Sequence, residues 1–181
     1  HCSVRRQRQM CIRDRESPVE HDYLIKLQEF VQNLEKVGAK IIRNKTPKLD
    51  TERHFMNYLS LVGASDSEHF TQSEINNLIS GVNALNNEHV SRICGTRFRG
   101  LSISHRDWLK LNLIRNKNRL IFDEFFEDID ILLTPATGSP AFKHDQNGPR
   151  YSRFLTINGK EYPEMAQLFW SGYSGCLLYT S

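Results

Sequence analysis

The sequence predicts an α/β fold that is predominantly helical. Three observations carry that reading. Several long stretches repeat apolar residues at three- and four-residue steps, the period of a helix with one buried face. A helix, a capping glycine and a short apolar run follow one another over residues 19–42, a familiar α/β unit. Residues 125–142 then pass from an amphipathic helix tail through the apolar run Ile131-Leu132-Leu133 into a Gly/Ser/Pro loop. A short continuous apolar run is what a strand buried on both faces shows, and Pro135 removes a backbone donor and ends its ladder.

The elements follow in order. Tyr23, Leu27, Phe30, Val31, Leu34 and Val37 define the apolar face of a first helix, closed by Gly38; Ala39 to Ile42 reads as a strand. Asp50 or Thr51 caps a second helix with Phe55, Tyr58, Leu59 and Val62 inside, and residues 63–70 read as a polar loop. Thr71-Gln72-Ser73-Glu74 fits a capping box, and Ile75, Leu78, Ile79 and Val82 continue it at helical spacing. Asn86-Asn87 breaks that helix, and residues 95–100, bounded by glycines, read as another loop. The longest helix starts near Ser104 and runs through Trp108, Leu111, Ile114, Ile121 and Phe125. Asn158-Gly159 between Phe154-Leu155-Thr156-Ile157 and Lys160-Glu161-Tyr162 is the signal for a tight type I′ hairpin, and Pro163 suits the first turn of a helix through Trp170.

At 181 residues, 39% hydrophobic and 25% charged, the chain has the make-up of one globular domain, with no apolar run long enough for a transmembrane helix. Charge is uneven. Arg5, Arg6, Arg8, Arg13 and Arg15 stand against Asp14 alone, a local +4, so a total of +3 leaves −1 for residues 16–181. Residues 1–15 and 176–181 resemble translated adapter sequence, and the expected division is a non-native tail at 1–15, a truncated domain at 16–175 and a second such tail at 176–181. The rival for residues 1–15 is a basic arm for nucleic acid or anionic lipid, but no aromatic is interleaved there for base stacking. Cys2, Cys11 and Cys176 lie near the ends and only Cys94 between, which makes no disulfide framework and favours a reducing compartment.

Most arrangements that carry chemistry are missing from the sequence. No histidine pair brackets a glutamate at metalloprotease spacing, no cysteines have zinc-finger spacing, and no Gly-rich phosphate loop ends in Lys-Ser/Thr. Glu88, His89 and Cys94 read better as a solvated helix face than as a metal site, and Glu124, Glu127, Asp128 and Asp130 better as helix-end solvation than as a cation site. His144-Asp145 is an orienting pair or an exposed loop pair, with the loop pair favoured. Gly172-Tyr173-Ser174-Gly175 only partly mimics a nucleophile elbow, because Cys176 stands where that pattern needs glycine.

The order of words along the chain is more specific. Ser104-His105-Arg106-Asp107-Trp108-Leu109, Arg119, Phe125-Phe126, Asp130-Ile131-Leu132-Leu133-Thr134-Pro135, Pro140-Ala141-Phe142-Lys143-His144-Asp145, Asn158-Gly159 and Trp170 together resemble the C-terminal part of amidase signature enzymes. The resemblance extends over residues 16–175, and the wording at His105 and His144 is closer to stand-alone small-molecule amidases than to the tRNA-linked amidotransferase subunit. It implies a large mixed sheet enclosed by helices, and hydrolysis of a carboxamide to a carboxylate and an amine or ammonia by a Ser–cis-Ser–Lys triad with no metal or organic cofactor. It also implies a small-molecule amide as partner, with neither nucleic acid nor membrane, a cytoplasmic location, and a homodimer as the oligomer to test for. The Gly-Gly-Ser-Ser stretch and triad lysine of that family have no counterpart in this sequence, so catalytic residues are expected upstream and this piece alone is expected to be inactive. Thr137, Phe142 and Trp170 are the residues expected in the substrate-pocket wall. The alternative from another class is a small non-catalytic helical binding or scaffold domain with a basic N-terminal arm.

Overall fold

A computed structural model describes residues 17–43 and 45–177. Six α-helices are present among them: α1 (His21–Lys36), α2 (Thr51–Ser65), α3 (Gln72–Ala84), α4 (Glu88–Gly100), α5 (His105–Phe126) and α6 (Leu168–Gly175). Between α5 and α6 lies an antiparallel hairpin, β1 (Phe154–Ile157) and β2 (Lys160–Pro163), flanked by 3-10 turns at Arg150–Ser152 and Glu164–Gln167. The protein is thus a mostly helical α/β structure with a small two-stranded sheet. Residues 1–16 and 178–181, which hold the first expected tail with its basic arm and most of the second, lie outside the described residues; Cys176 and Leu177, the start of the second expected tail, are described and buried.

Helix α2 is the hub, packing against α4, α5 and α6. Phe55 and Leu59 project from it into a core that also holds Val90, Ile93, Phe122 and Phe169. Asp50 starts the helix by accepting from the Arg53 N–H at 2.9 Å. The Thr71–Glu74 box opens α3 as expected: the Glu74 N–H donates to the Thr71 hydroxyl and the Thr71 N–H donates to Glu74 at 2.7 Å. Asn87 and Ser104 cap α4 and α5 in the same way, through Val90 and Asp107. These caps satisfy amides that a helix start otherwise leaves orphaned.

One expected loop is helical, and the other starts inside a helix, with residues 66–70 left as a turn and a short 3-10 segment. Gly63 lies inside α2, and residues 95–100 form the end of α4. The glycines serve close packing there: a Cβ on Gly100 would sit 2.5 Å from the Ser60 carbonyl oxygen, and one on Gly63 would collide with the carbonyl of Arg97. A bare backbone at both positions lets the two helices touch, so these glycines mark a crossing.

Two expected strands are absent. Residues 39–42 and 131–133 run as irregular chain, with Ile42 47%, Ile131 74% and Leu133 44% exposed. A strand needs a ladder partner, and among the described residues only β1 and β2 pair. Helix α1 also buries less than its periodicity suggests: Phe30 is 51% and Val37 81% exposed. Its C-terminus does close as read. Gly38 takes φ +98°, its N–H donates to the Glu35 carbonyl, and the Ala39 N–H donates to Leu34, the two bonds of a Schellman cap. The hairpin likewise has the expected turn, with Asn158 at φ +50° and Gly159 at φ +76°. Pro163 ends β2 and precedes a 3-10 turn before α6 begins at Leu168.

Candidate functional site

The loop after residues 131–133 is held from three directions. The Glu20 N–H donates to the Gly138 carbonyl at 2.8 Å, and the Gly138 N–H donates to Gln167 Oε1 at 2.6 Å. The Ala136 N–H donates to the Tyr23 hydroxyl at 3.1 Å. Gly138 has to be glycine, because a Cβ there would run into the Pro18 carbonyl and meet Ile157 Cδ1 at 3.2 Å. Asn158, at the hairpin turn, clamps the start of α1: its Nδ2 donates to the Val19 carbonyl at 2.9 Å, its Oδ1 accepts from the His21 N–H at 3.1 Å, and its backbone N–H donates to Glu20 at 3.2 Å. Residues distant in sequence therefore converge on one corner of the fold.

A pocket of about 220 Å³ opens at that corner. Glu20, Asp22 and Tyr23 form one side, Phe142 and the preceding loop another, and Leu155 of β1 contributes an apolar patch. Ser139 belongs to the wall, is 9% exposed, and its buried hydroxyl has no hydrogen-bond partner. Asp22 makes no ion pair or hydrogen bond with the described residues. Of the three expected wall residues, Phe142 lines this pocket at 51% exposure. Thr137 is not in the wall; its hydroxyl donates to the Ser139 carbonyl at 2.6 Å and braces the loop. Trp170 lies in the core, 8% exposed, edge-on to Phe169 at 5.1 Å and stacked on Tyr173 at 6.3 Å. The structure does not gather the three around one cavity.

A larger groove of about 600 Å³ runs between the C-terminal ends of α2 and α4 and the start of α5. His105 and Trp108 stack on its rim, 6.2 Å apart with planes 9° from parallel. Arg115 joins them from the same helix and donates to Asn112.

The other candidates resolve individually. Cys94 is fully buried, and loss of hydration pushes its thiol up to about 12; His89 lies edge-on to Tyr162 at 6.0 Å. Asp128 pairs with Lys45 at 3.0 Å on the surface. Among the described residues no three His, Cys, Asp or Glu side chains come together as a metal would require. Asp145 accepts from the Asn147 N–H at 2.8 Å and His144 contacts Gln146, so the pair is the exposed loop that was favoured. Gly172-Tyr173-Ser174-Gly175 is helical, and Gly172 abuts the Tyr58 ring.

His54 was not anticipated from the sequence. It is 2% exposed within α2, with its Nε2–H donating to the Gly172 carbonyl at 3.1 Å and its Nδ1 accepting from Asn118 at 2.9 Å. Burial lowers its pKa, partly opposed by the bonds to backbone of α6, and the neutral ring fastens α2, α5 and α6 together. Its neighbours Phe55 and Leu59 carried the visible pattern, and a lone histidine at an inward position gives no periodic signal. Glu20, Asp22 and Tyr23 were equally silent, because their grouping depends on the hairpin folding back on α1.

Among the described residues no helix is long and apolar enough to cross a membrane. No curated protein and no solved structure matches the chain. A family model described as Amidase matches residues 11–169, most of the sequence and all of the convergent corner. The chain belongs to the amidase family, hydrolases that act on carbon–nitrogen bonds.

Proposed function

We propose that this chain forms the pocket-bearing scaffold of an amidase that cleaves a carboxamide to a carboxylate and an amine or ammonia. The Ser–cis-Ser–Lys triad is contributed by a part of the parent outside these residues. One observation carries the proposal: the family match spans residues 11–169, yet the sequence holds no Gly-Gly-Ser-Ser stretch. In the chemistry this assigns to the parent, a serine oxygen attacks the amide carbon and the relay serine passes a proton to the departing nitrogen. Water then releases the carboxylate, while backbone N–H groups hold the oxyanion. Supporting the assignment, Ile131 and Leu133 stand exposed beside a loop that the rest of the chain pins firmly.

Of the three expected wall residues, Phe142 stands in the proposed substrate wall itself, with Thr137 bracing the loop that carries it and Trp170 supporting it from the core. Phe142 is already at a pocket, and the Trp170 indole N–H is buried without a hydrogen-bond partner. The ligand class is a small amide, and the proposed compartment is the reducing cytoplasm, consistent with Cys94 and Cys176 being free thiols.

The test has two arms. The purified chain, incubated with a panel of small carboxamides, should release no ammonia and should not be labelled by a fluorophosphonate serine probe. Sequencing outward from the codons for residues 131–142 in the source nucleic acid should reveal an in-frame Gly-Gly-Ser-Ser stretch with a lysine before it. Ammonia release by the chain itself, or a flanking frame without that stretch, would overturn the proposal.

A further inference from the structure

Helix α5 has two apolar faces, and the core uses one of them. Phe122 and Phe125 are buried on the inner face, and α2 is the helix against which α5 chiefly packs. Leu109, Leu113 and Leu120 lie on the opposite side, 50%, 57% and 68% exposed, and with exposed Asn116 they make a stripe at steps of four, three and four residues. That spacing is the seam of a paired helix. The exposed charges of α5 are sorted along its length. Arg106, Lys110, Lys117 and Arg119 come first, and Asp123 and Glu124 close the helix. Asp107, the acid among the bases, is already engaged by Lys110 at 2.8 Å and the Ser104 hydroxyl at 2.7 Å. A helix N-terminus favours acids and a C-terminus bases, so this order runs against the macrodipole. An antiparallel copy of the same helix sets bases beside acids at both ends and relieves the mismatch.

We propose that two copies of this chain pair through α5, antiparallel about a two-fold axis that crosses the helix at residues 114–115. In that register Leu109 meets the partner's Leu120 and Leu113 meets the partner's Asn116, each contact occurring twice by symmetry. The same register brings Arg106 against the partner's Glu124. Both of these side chains are exposed, and neither has a partner among the described residues. Lys110 and Lys117 fall opposite the partner's Leu120 and Leu113, where their aliphatic stems cover the seam and their ammonium groups reach water. A parallel pair would instead set Arg106 beside the partner's Arg106 and Glu124 beside the partner's Glu124, so the charges select the antiparallel arrangement. Asn116, a single polar residue in an apolar seam, fixes register at some cost in affinity. One helix from each copy makes a small interface, so the dimer is weak and dissociates on dilution. The pairing uses neither the triad nor the amide pocket, and it stands apart from the amidase reading.

The experiment is analytical ultracentrifugation of this chain over a wide range of concentration. A reversible monomer–dimer equilibrium is expected. Arg106→Glu or Glu124→Arg alone places like charges at two symmetry-related points and should weaken the dimer at least about fivefold. The double variant, and an equimolar mixture of the two single variants, should restore most of the lost affinity, because opposite charges face each other again. Leu120→Lys, at an exposed position, should weaken the dimer about tenfold or more with Tm little changed. Ile131→Lys, on the other outward apolar surface, acts only on association beyond the dimer and should leave the dimer in place. A chain that stays monomeric at every concentration, single reversals without effect, a double variant and mixture that fail to recover, or loss of the dimer in Ile131→Lys would each overturn the pairing and leave the α5 face to another occupant.

Discussion

Replacing His54 by alanine should be among the most damaging single changes in this protein. The imidazole makes two buried bonds, to the Gly172 carbonyl at 3.1 Å and to Asn118 at 2.9 Å, and its ring lies 6.3 Å from Phe122 and 6.0 Å from Tyr173. Removing it strands a donor on α5, costing about 1–3 kcal/mol when left unsatisfied, and takes one of two bonds from the Gly172 carbonyl, which keeps the Cys176 N–H at 3.2 Å. A void is added between three helices, so about 3–5 kcal/mol of lost stability is expected, the scale of a large core truncation. The same residue fixes a pH dependence. Its pKa in the folded protein lies below the usual histidine value of 6.5, so the unfolded chain takes up this proton first as pH falls. Its neutral form contributes fully above about pH 6.5, and that contribution declines progressively below it. Urea unfolding followed by far-UV circular dichroism at several pH values reads both effects. The variant should have a markedly lower midpoint and a flatter decline of stability on the acid side of 6.5. A midpoint within error of the parent chain, or an acid-side slope unchanged by the substitution, would refute the role assigned to His54.

Two further outcomes follow from packing. Gly100→Ala should lower stability by about 1–3 kcal/mol, seen as a drop in Tm, because its Cβ would sit 2.5 Å from the Ser60 carbonyl oxygen and force α4 away from α2; an unchanged Tm would show that the crossing is loose. Ile131→Lys, at a side chain 74% exposed, should change folding stability by no more than about 0.5 kcal/mol while suppressing self-association in light scattering; loss of stability without any gain in solubility would contradict the exposure of that segment.

The parts of the fold that the sequence disclosed are those set by local chemistry. Asp50, Thr71-Glu74 and Ser104 start helices because a side-chain oxygen three residues away from an orphan N–H is a short-range matter. Asn158-Gly159 makes its turn because both residues tolerate positive φ. Gly38 ends α1 for the same reason. Gly63 and Gly100 misled because a glycine chosen for backbone permissiveness and one chosen for close approach look alike in sequence, and only the partner helix tells them apart. At the candidate site, Phe142 and the loop before it were visible through their wording. Asp22 and Glu20 were not, since nothing near residue 20 announces that Asn158, more than a hundred residues away, will bind there. The wall of the pocket is a product of tertiary closure, and closure leaves no periodic mark.

The run at residues 131–133 shows how an apolar pattern specifies burial without specifying the element that achieves it. Leu132 packs against the core while Ile131 and Leu133 face outward, the alternation of a strand with one side filled. Burying an isoleucine or leucine side chain is worth about 1.5–3 kcal/mol, and two of the three largely forgo that gain here. Leu109, Leu113 and Leu120 on α5 are likewise 50%, 57% and 68% exposed, and steps of four and seven residues put them on one helical face. Two separate elements thus turn apolar surface outward in a sequence whose caps, turns and glycine crossing are otherwise well matched to its structure. Local signals are met by residues within reach, whereas these two faces ask for surfaces that the described residues of one copy do not provide. The same division holds chemically, where a pocket wall and a positioned loop are present and the sequence contains no nucleophile motif to act on what the pocket would hold. The apolar face of residues 131–133 and the lack of a nucleophile motif are thus two independent observations, one of packing and one of sequence, that bear on the proposal of a triad supplied from elsewhere in the parent.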